Sequence, residues 1–201
     1  MITSLLLGGM LLCATARPAS ALDVKVSANA LERTLRTQLF NSPDGRYYLR
    51  GTADSPCYVY AEDPKVSFQD DRVVVHVHTQ SRLGTPLHGT CLGVSLNTDA
   101  DVSVVPDAEG ESIGFRDARI EKLSKSKELN FLLVPFLSRK LPSQMKINAA
   151  DLVRKLLTQS AASTGYTLTL DSLKFHSLQV QGTSILGSSL VLDLDAAMEV
   201  N

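Results

Sequence analysis

Two amphipathic helical segments interrupt a chain that otherwise reads as long alternating strands, and this imbalance limits what the chain can fold into. In residues 94–104, Val94, Leu96, Ala100, Val102 and Val104, with Thr98 among them, fall on one side, while Ser95, Asn97, Asp99, Asp101 and Ser103 fall on the other. Strand side chains point alternately to opposite faces, so this is a strand of a sheet that is wet on one side only. Val73, Val75 and Val77 against Val74, His76 and His78 repeat the pattern, as do Leu190, Leu192, Leu194, Ala196, Met198 and Val200 against Asp193, Asp195 and Glu199. An apolar sheet face has to be covered. The first helix, residues 27–40, places Ala28, Leu31, Leu35 and Leu39 in one stripe and Glu32, Arg33, Arg36 and Gln38 opposite, with Ser27 or Asn29 as cap. The second is centred on residues 152–157, with Leu152, Val153, Leu156 and Leu157 on its apolar face and Asn148 as cap. Two helices cover only part of such a sheet. The rest must close on itself, meet a partner or hold an apolar ligand. The pattern therefore predicts an α+β fold, a long twisted antiparallel sheet wrapped around two amphipathic helices.

The chain has 201 residues. Residues 5–14 form an apolar run too short to span a bilayer comfortably, followed by the small-residue cleavage pattern Ala19-Ser20-Ala21. Residues 1–21 are read as an export signal cut near Ala21, although no Lys or Arg precedes the run. Cys13 follows Leu12, where a bacterial lipobox carries Gly or Ala, so it is not read as lipidated. The expected mature chain, residues 22–201, suits one domain with a substantial core. It carries 19 Lys and Arg against 21 Asp and Glu with no basic stripe, which argues against nucleic acid. Trp is absent and aromatics make up 5%, which argues against a membrane barrel with aromatic girdles. No later apolar run reaches spanning length, so the expected location is the periplasm, in soluble form. Cys57 and Cys91 are the two cysteines left after cleavage, and an even count in an exported chain implies a disulfide. Closing that loop stabilises by roughly 3.5–4 kcal/mol in the chain-entropy model.

Between these landmarks, residues 41–45 and 69–72 read as turns, and residues 47–60 as a strand whose Pro56 suits an edge or a start. Residues 66–69 read as a short strand, and residues 82–90, with Gly84, Pro86 and Gly89, as a loop. Residues 106–110 read as a hairpin loop and 113–123 as a returning strand, whose phase shift between Phe115 and Ile120 predicts a bulge. Residues 129–137 are the most apolar run of the expected mature chain. Pro135 argues against an unbroken helix there and for a helix that starts at Pro135 and runs toward Leu141.

Few residues point to chemistry. His76 and His78 share a strand face at a spacing that metal ligands use, but nothing places His88 or His176 beside them, and Gln80 on the same face marks a solvated surface. There is no Gly-x-Ser-x-Gly elbow, and Ser188 and Ser189 precede a strand rather than a helix. Asp99, Asp101, Asp193 and Asp195 alternate on wet faces as solubilising acids do, and no phosphate-cradling glycine loop is present. The chain reads as a binding protein without a cofactor or metal, not as an enzyme.

The opening Val26-Ser27-Ala28-Asn29-Ala30-Leu31, the ending Leu190-Val191-Leu192-Asp193-Leu194-Asp195 and the order of elements between them resemble the tubular lipid-binding (TULIP) superfamily. Within it, the likeness is to the small single-module bacterial YceB-like periplasmic proteins. The resemblance implies a twisted sheet wrapped along helices, with an apolar groove that takes acyl chains. It does not supply the Cys57–Cys91 pair, and those proteins are lipoproteins whereas this chain lacks a lipobox. The resulting expectation is an exported carrier of a lipid or other apolar small molecule, with transient membrane contact. Its acyl chain would lie between Leu31, Leu35, Leu39, Phe136, Val153, Leu156 and Leu157 of the helical segments and Val75, Val77, Leu96 and Val102 of the strands. The run 129–137 would be a lip at the cavity mouth. A rival reading makes that run the docking surface of a protein-binding adaptor. A second rival is a hydrolase using Ser188 and Ser189.

Overall fold

The computed structural model describes residues 22–165, 168–181 and 189–200. The expected signal with Cys13, as well as Tyr166, Ser188 and the turn residues Gly182, Thr183 and Gly187, lies outside the described residues. All assigned strand pairs are antiparallel. A curled six-stranded sheet runs in the order β2 (Tyr47–Arg50), β3 (Tyr58–Gln69), β4 (Arg72–Leu87), β5 (Thr90–Glu109), β6 (Ser112–Lys122) and β7 (Ile147–Asn148). A three-stranded sheet takes the order β1 (Leu22–Ser27), β9 (Ser189–Val200), β8 (Leu168–Gln181).

The hairpin β4–β5 is the spine. Its register runs unbroken from Val73↔Val104 to Leu87↔Thr90. The expected loop at 82–90 is therefore corrected: only His88 and Gly89 form the turn, both at positive φ (48° and 78°), the two-residue geometry that matches strand twist. Pro86 fits because the Pro86↔Cys91 pair lies one step back from the hydrogen-bonded pair that closes the turn, Leu87↔Thr90, so its N–H groups point outward, and β3 pairs with β4 only as far as Arg82. The expected hairpin loop at 106–110 is likewise replaced by a turn at Gly110 and Glu111, with Pro106 inside β5 opposite Phe115. The bulge lies where the phase shift predicts it. Ser103 pairs with Arg119 but Val105 with Arg116, and Asp117 takes φ 51°. Arg72 clamps it, donating to Ser103 Oγ (2.7 Å), Ser103 O (3.0 Å), Asp117 Oδ2 (3.1 Å) and the Asp117 carbonyl.

Among the described residues there are three helical units, the two amphipathic ones and a middle one that starts earlier than the expected Pro135. α1 (Ala28–Gln38) is capped by Ser27, whose Oγ accepts from Ala30 N. It buries Leu31, Leu35 and, just past its end, Leu39. The second unit is continuous: α2 (Lys127–Pro135), a π-helical turn Phe136–Lys140, and α3 (Leu141–Gln144). Ser126 Oγ accepts from Leu129 N to start it. Pro135 does not begin this helix but ends α2. It has no N–H to offer four residues back, and the ladder resumes in a wider turn with Leu141 N donating to Phe136 O. Leu129, Leu133, Phe136, Leu137 and Leu141 form one buried face, and the Phe136 ring stacks on Tyr47 at 5.0 Å. α4 (Ala149–Thr164) starts at Asn148, whose Oδ1 accepts from Asp151 N at 3.0 Å. It turns Ala149, Ala150 and Val153 inward, leaving Leu152 and Leu156 (61% exposed) on the surface. The helix packs mainly on β8.

The core lies between the inner face of the six-stranded sheet and these helices, joined by Leu173, Leu190, Leu192 and Leu194 of the smaller sheet.

Candidate apolar-ligand site

The residues expected to line a groove between helices and sheet are packed mostly against one another. Leu31, Leu35, Leu39, Val75, Val77, Val102, Phe136 and Val153 are buried in the core, Leu96 and Leu157 are half-buried, and Leu156 faces solvent. Leu129, Leu133, Leu137 and Leu141 fill the adjoining space. Apolar surface is instead left bare at one end of the spine.

The inner face of β4–β5 continues past the body of the protein. Paired residues share a face and every second pair returns to it. The inner set therefore runs Val73/Val104, Val75/Val102, Val77/Ala100, Thr79/Thr98, Ser81/Leu96, Leu83/Val94, Thr85/Leu92 and Leu87/Thr90. On β4 burial is complete through Thr79 and Ser81 is buried as well, while their β5 partners Thr98 and Leu96 are half-buried. The hydroxyls of Thr79 and Ser81 donate across the ladder to Thr98 O (2.7 Å) and Leu96 O (3.4 Å), so neither is orphaned. Beyond that point Val94 is 58%, Leu92 59% and Leu87 47% exposed. β3 pairs only up to Arg82 and β6 only from Asp101, so residues 83–94 form a two-stranded ribbon. At its root Gly84 faces Gly93, and the backbones approach so closely that a Cβ on either would lie 2.1 or 1.9 Å from the opposite carbonyl oxygen.

The disulfide holds this ribbon in place. Cys57, just before β3, bonds to Cys91, which pairs with Pro86 on the outer face. The crosslink thus grips the outer side and leaves the apolar inner side free.

Opposite that inner side stands α2. Leu83, Gly84, Val94, Phe131 and Leu132 line an open groove of about 760 Å³, with Arg50 and Glu128 as its charged groups. Phe131, 80% exposed, is the most exposed large apolar side chain among the described residues. The Glu128 carboxyl is held below its ordinary range by its own backbone N–H and by the Ser126 hydroxyl (2.8 Å), so the groove has a fixed negative group at the α2 end and Arg50 as its cation. The volume falls within the range of small-molecule sites. Of these residues, sequence reasoning had singled out Phe131 and Leu132 as part of an apolar lip and Val94 as strand. It missed Leu83, Leu87, Leu92, Arg50 and Glu128. The available signal was the continued alternation of Leu83, Thr85 and Leu87.

The outer face is occupied by polar pairs. His76 Nδ1 meets Asp101 Oδ1 at 2.5 Å and His78 Nδ1 meets Asp99 Oδ1 at 2.9 Å, with Lys122 Nζ 3.3 Å from Asp99 Oδ2. Hydrogen bonds from His78 and Lys122 lower the Asp99 pKa. Each imidazole thus has a carboxylate partner across the strand. No group of three or more His, Cys, Asp or Glu gathers as a metal site among the described residues. Set against known protein families, curated proteins and solved structures, the chain finds no match in any of the three.

Proposed function

We propose that this is an exported binding protein that shelters an acyl chain, or an equivalent apolar segment, in the groove between the β4–β5 ribbon and α2. The reading includes a tubular lipid-binding-like architecture, with the curled sheet as the wrap and the bare ribbon as its open end. It rests on one observation: the inner face of the spine continues from half-buried Leu83 to exposed Val94 and Leu92, facing an exposed Phe131 of α2 across a groove of about 760 Å³. The driving force is desolvation. Each buried methylene contributes about 0.8 kcal/mol, so a long chain reaches micromolar affinity even after association costs of several kcal/mol. Arg50 takes an anionic headgroup by a charge-assisted hydrogen bond, and Glu128 repels it from the other end, so the ligand binds in one orientation. No bond is made or broken.

The test is displacement of a fluorescent fatty acid from the purified protein, together with mass spectrometry of its solvent extract. Val94→Asp and Phe131→Asp place a charge in the groove without touching the core and are expected to weaken binding at least about tenfold. Arg50→Ala should weaken a fatty acid more than the matching alcohol. Wild-type protein that binds neither and releases no lipid on extraction would refute the proposal.

A further inference from the structure

The ribbon end differs from the rest of the surface in charge as well as in polarity. From Arg72 to Thr98 there is no Asp or Glu, a stretch that covers β4, the turn and the first part of β5. Arg50 lines the groove with Glu128 as its acid, and exposed charges follow in the adjoining segments: Arg82 where β3 leaves β4, Lys125 and Lys127 at the start of α2, and Asp54 in the loop before β3. The opposite end of the same sheet carries Asp70 and Asp71 in the β3–β4 turn, and around the β5–β6 turn Asp107, Glu109 and Glu111 are each ion-paired, with Arg116, Lys146 and Arg154, so its charges largely balance. The whole chain has a formal net charge of −1. A positive apolar end on such a chain is a local feature rather than a consequence of general basicity.

We propose that this end docks on an anionic lipid bilayer. Leu87, Leu92 and Phe131 enter the interface while the nearby cations meet the headgroups. The proposal rests on the groove being an acyl-chain site, and it names the surface from which the chain is loaded: a groove whose mouth lies in the bilayer receives a chain without exposing it to water. Apolar side chains flanked by Lys and Arg make an interfacial anchor, because burial and attraction to anionic lipid add. The tip tolerates this environment. The ribbon's ladder pairs its backbone down to Leu87↔Thr90, and Thr90 Oγ1 donates to Leu87 O at 2.9 Å. Arg82, on the outer face with its guanidinium 5.8 Å from the Tyr58 ring, has a long stem that lets its charge reach the headgroup level.

The experiment is flotation of the protein, produced from its full sequence, with vesicles of phosphatidylcholine alone or mixed with phosphatidylglycerol. Fatty-acid displacement is run in parallel without vesicles. The protein should float with the anionic vesicles, and the preference should vanish at high salt. Leu92→Asp should lower the partition coefficient by on the order of tenfold and Arg82→Ala by about fivefold. Arg116→Ala, at the far end where Arg116 pairs with Asp107 at 3.1 Å, should leave it unchanged. An unaltered thermal melt shows that each variant is folded. Equal binding to both vesicles, no binding, or undiminished binding of Leu92→Asp overturns the docking. So does finding that Leu92→Asp instead dissociates a dimer that ignores vesicles. Fatty-acid binding without vesicle binding removes the docking and leaves the groove reading standing. Vesicle binding without fatty-acid uptake does the reverse.

Discussion

The two halves of the β4–β5 hairpin have the same alternation and opposite fates. In the inner half, Val73, Val75 and Val77 with Ala100, Val102 and Val104 are fully buried. In the outer half, Leu87, Leu92 and Val94 are about half exposed in the same unbroken register. The backbone is alike in both, and what differs is the cover. The inner half lies under helices whose stripes, Leu31 to Leu39 and Leu129 to Leu141, close over it. The outer half extends past them: Leu83 at its root still packs on the core, and beyond it Val94 faces α2 across an open groove. Alternation in a strand therefore identifies the face that avoids water but not the object that shields it. In this molecule the helices shield one stretch, and the next is left for something else.

The largest effect that tests this contrast comes from placing the same charge in each half. Val77→Asp buries a carboxylate with no partner in a fully dry site and is expected to cost more than about 4 kcal/mol, enough to unfold a marginal domain. Val94→Asp puts that carboxylate in water and should stay within about 1 kcal/mol of wild type. Denaturant melts of both variants decide the matter. Comparable losses at the two positions would mean that the outer half is covered after all.

A smaller effect comes from the crosslink. Cys57→Ser with Cys91→Ser releases the outer half from the loop before β3. It should lower stability by about 2–4 kcal/mol, because the open chain regains loop entropy. The hydrogen exchange of residues 83–94 should speed up well before that of residues 73–81, since the inner half keeps its helical cover. Uniform acceleration along both halves would show that the disulfide supports the whole sheet and not the ribbon.

How much of this was legible follows the same division. The sheet face, the α1 stripe, the Asn148 cap, the Cys57–Cys91 bond and the bulge after Phe115 are local or pairwise features, and the residues alone declare them. The ribbon was hidden because Gly84, Pro86 and Gly89 are turn formers. Only one of them sits in a turn: Gly84 is needed for close backbone approach to Gly93, and Pro86 directs its missing N–H to an unpaired edge. The second helical unit was hidden because Pro135 suggested a start. Leu129, Leu133, Leu137 and Leu141, four apart, were the better guide, and the π-helical turn absorbs the missing donor. Leu156 shows a limit of another kind. Its stripe is real, but which of the stripe's residues the rest of the fold covers, Val153 and not Leu156, is a tertiary fact. The candidate site was legible only on its α2 side, where Phe131 and Leu132 belong to the apolar run; its ribbon side depends on where the helices stop covering the sheet, which no single residue declares.

The smallest expected effect concerns the wet face, where the two halves differ again. The inner half carries Asp99 and Asp101, and the ribbon carries no acid. The Asp99 carboxyl lies below its ordinary value of 3.8 because His78 and Lys122 hydrogen-bond to it. A carboxyl whose folded pKa is depressed binds protons more readily in the unfolded chain, so its contribution is complete above 3.8 and fades as pH falls through the lower folded value. Asp117, lowered chiefly by Arg72, and Asp44, lowered chiefly by Tyr48, act with the same sign. Acid should therefore loosen the covered half while the acid-free ribbon has nothing to titrate in that range. Asp99→Asn loses at neutral pH what wild type loses only in acid, so the gap between their melting temperatures should narrow steadily as pH drops below 3.8. A gap that stays constant would mean that Asp99 is as free in the folded protein as in the unfolded chain, and that its partners on β4 and β6 contribute no charge stabilisation.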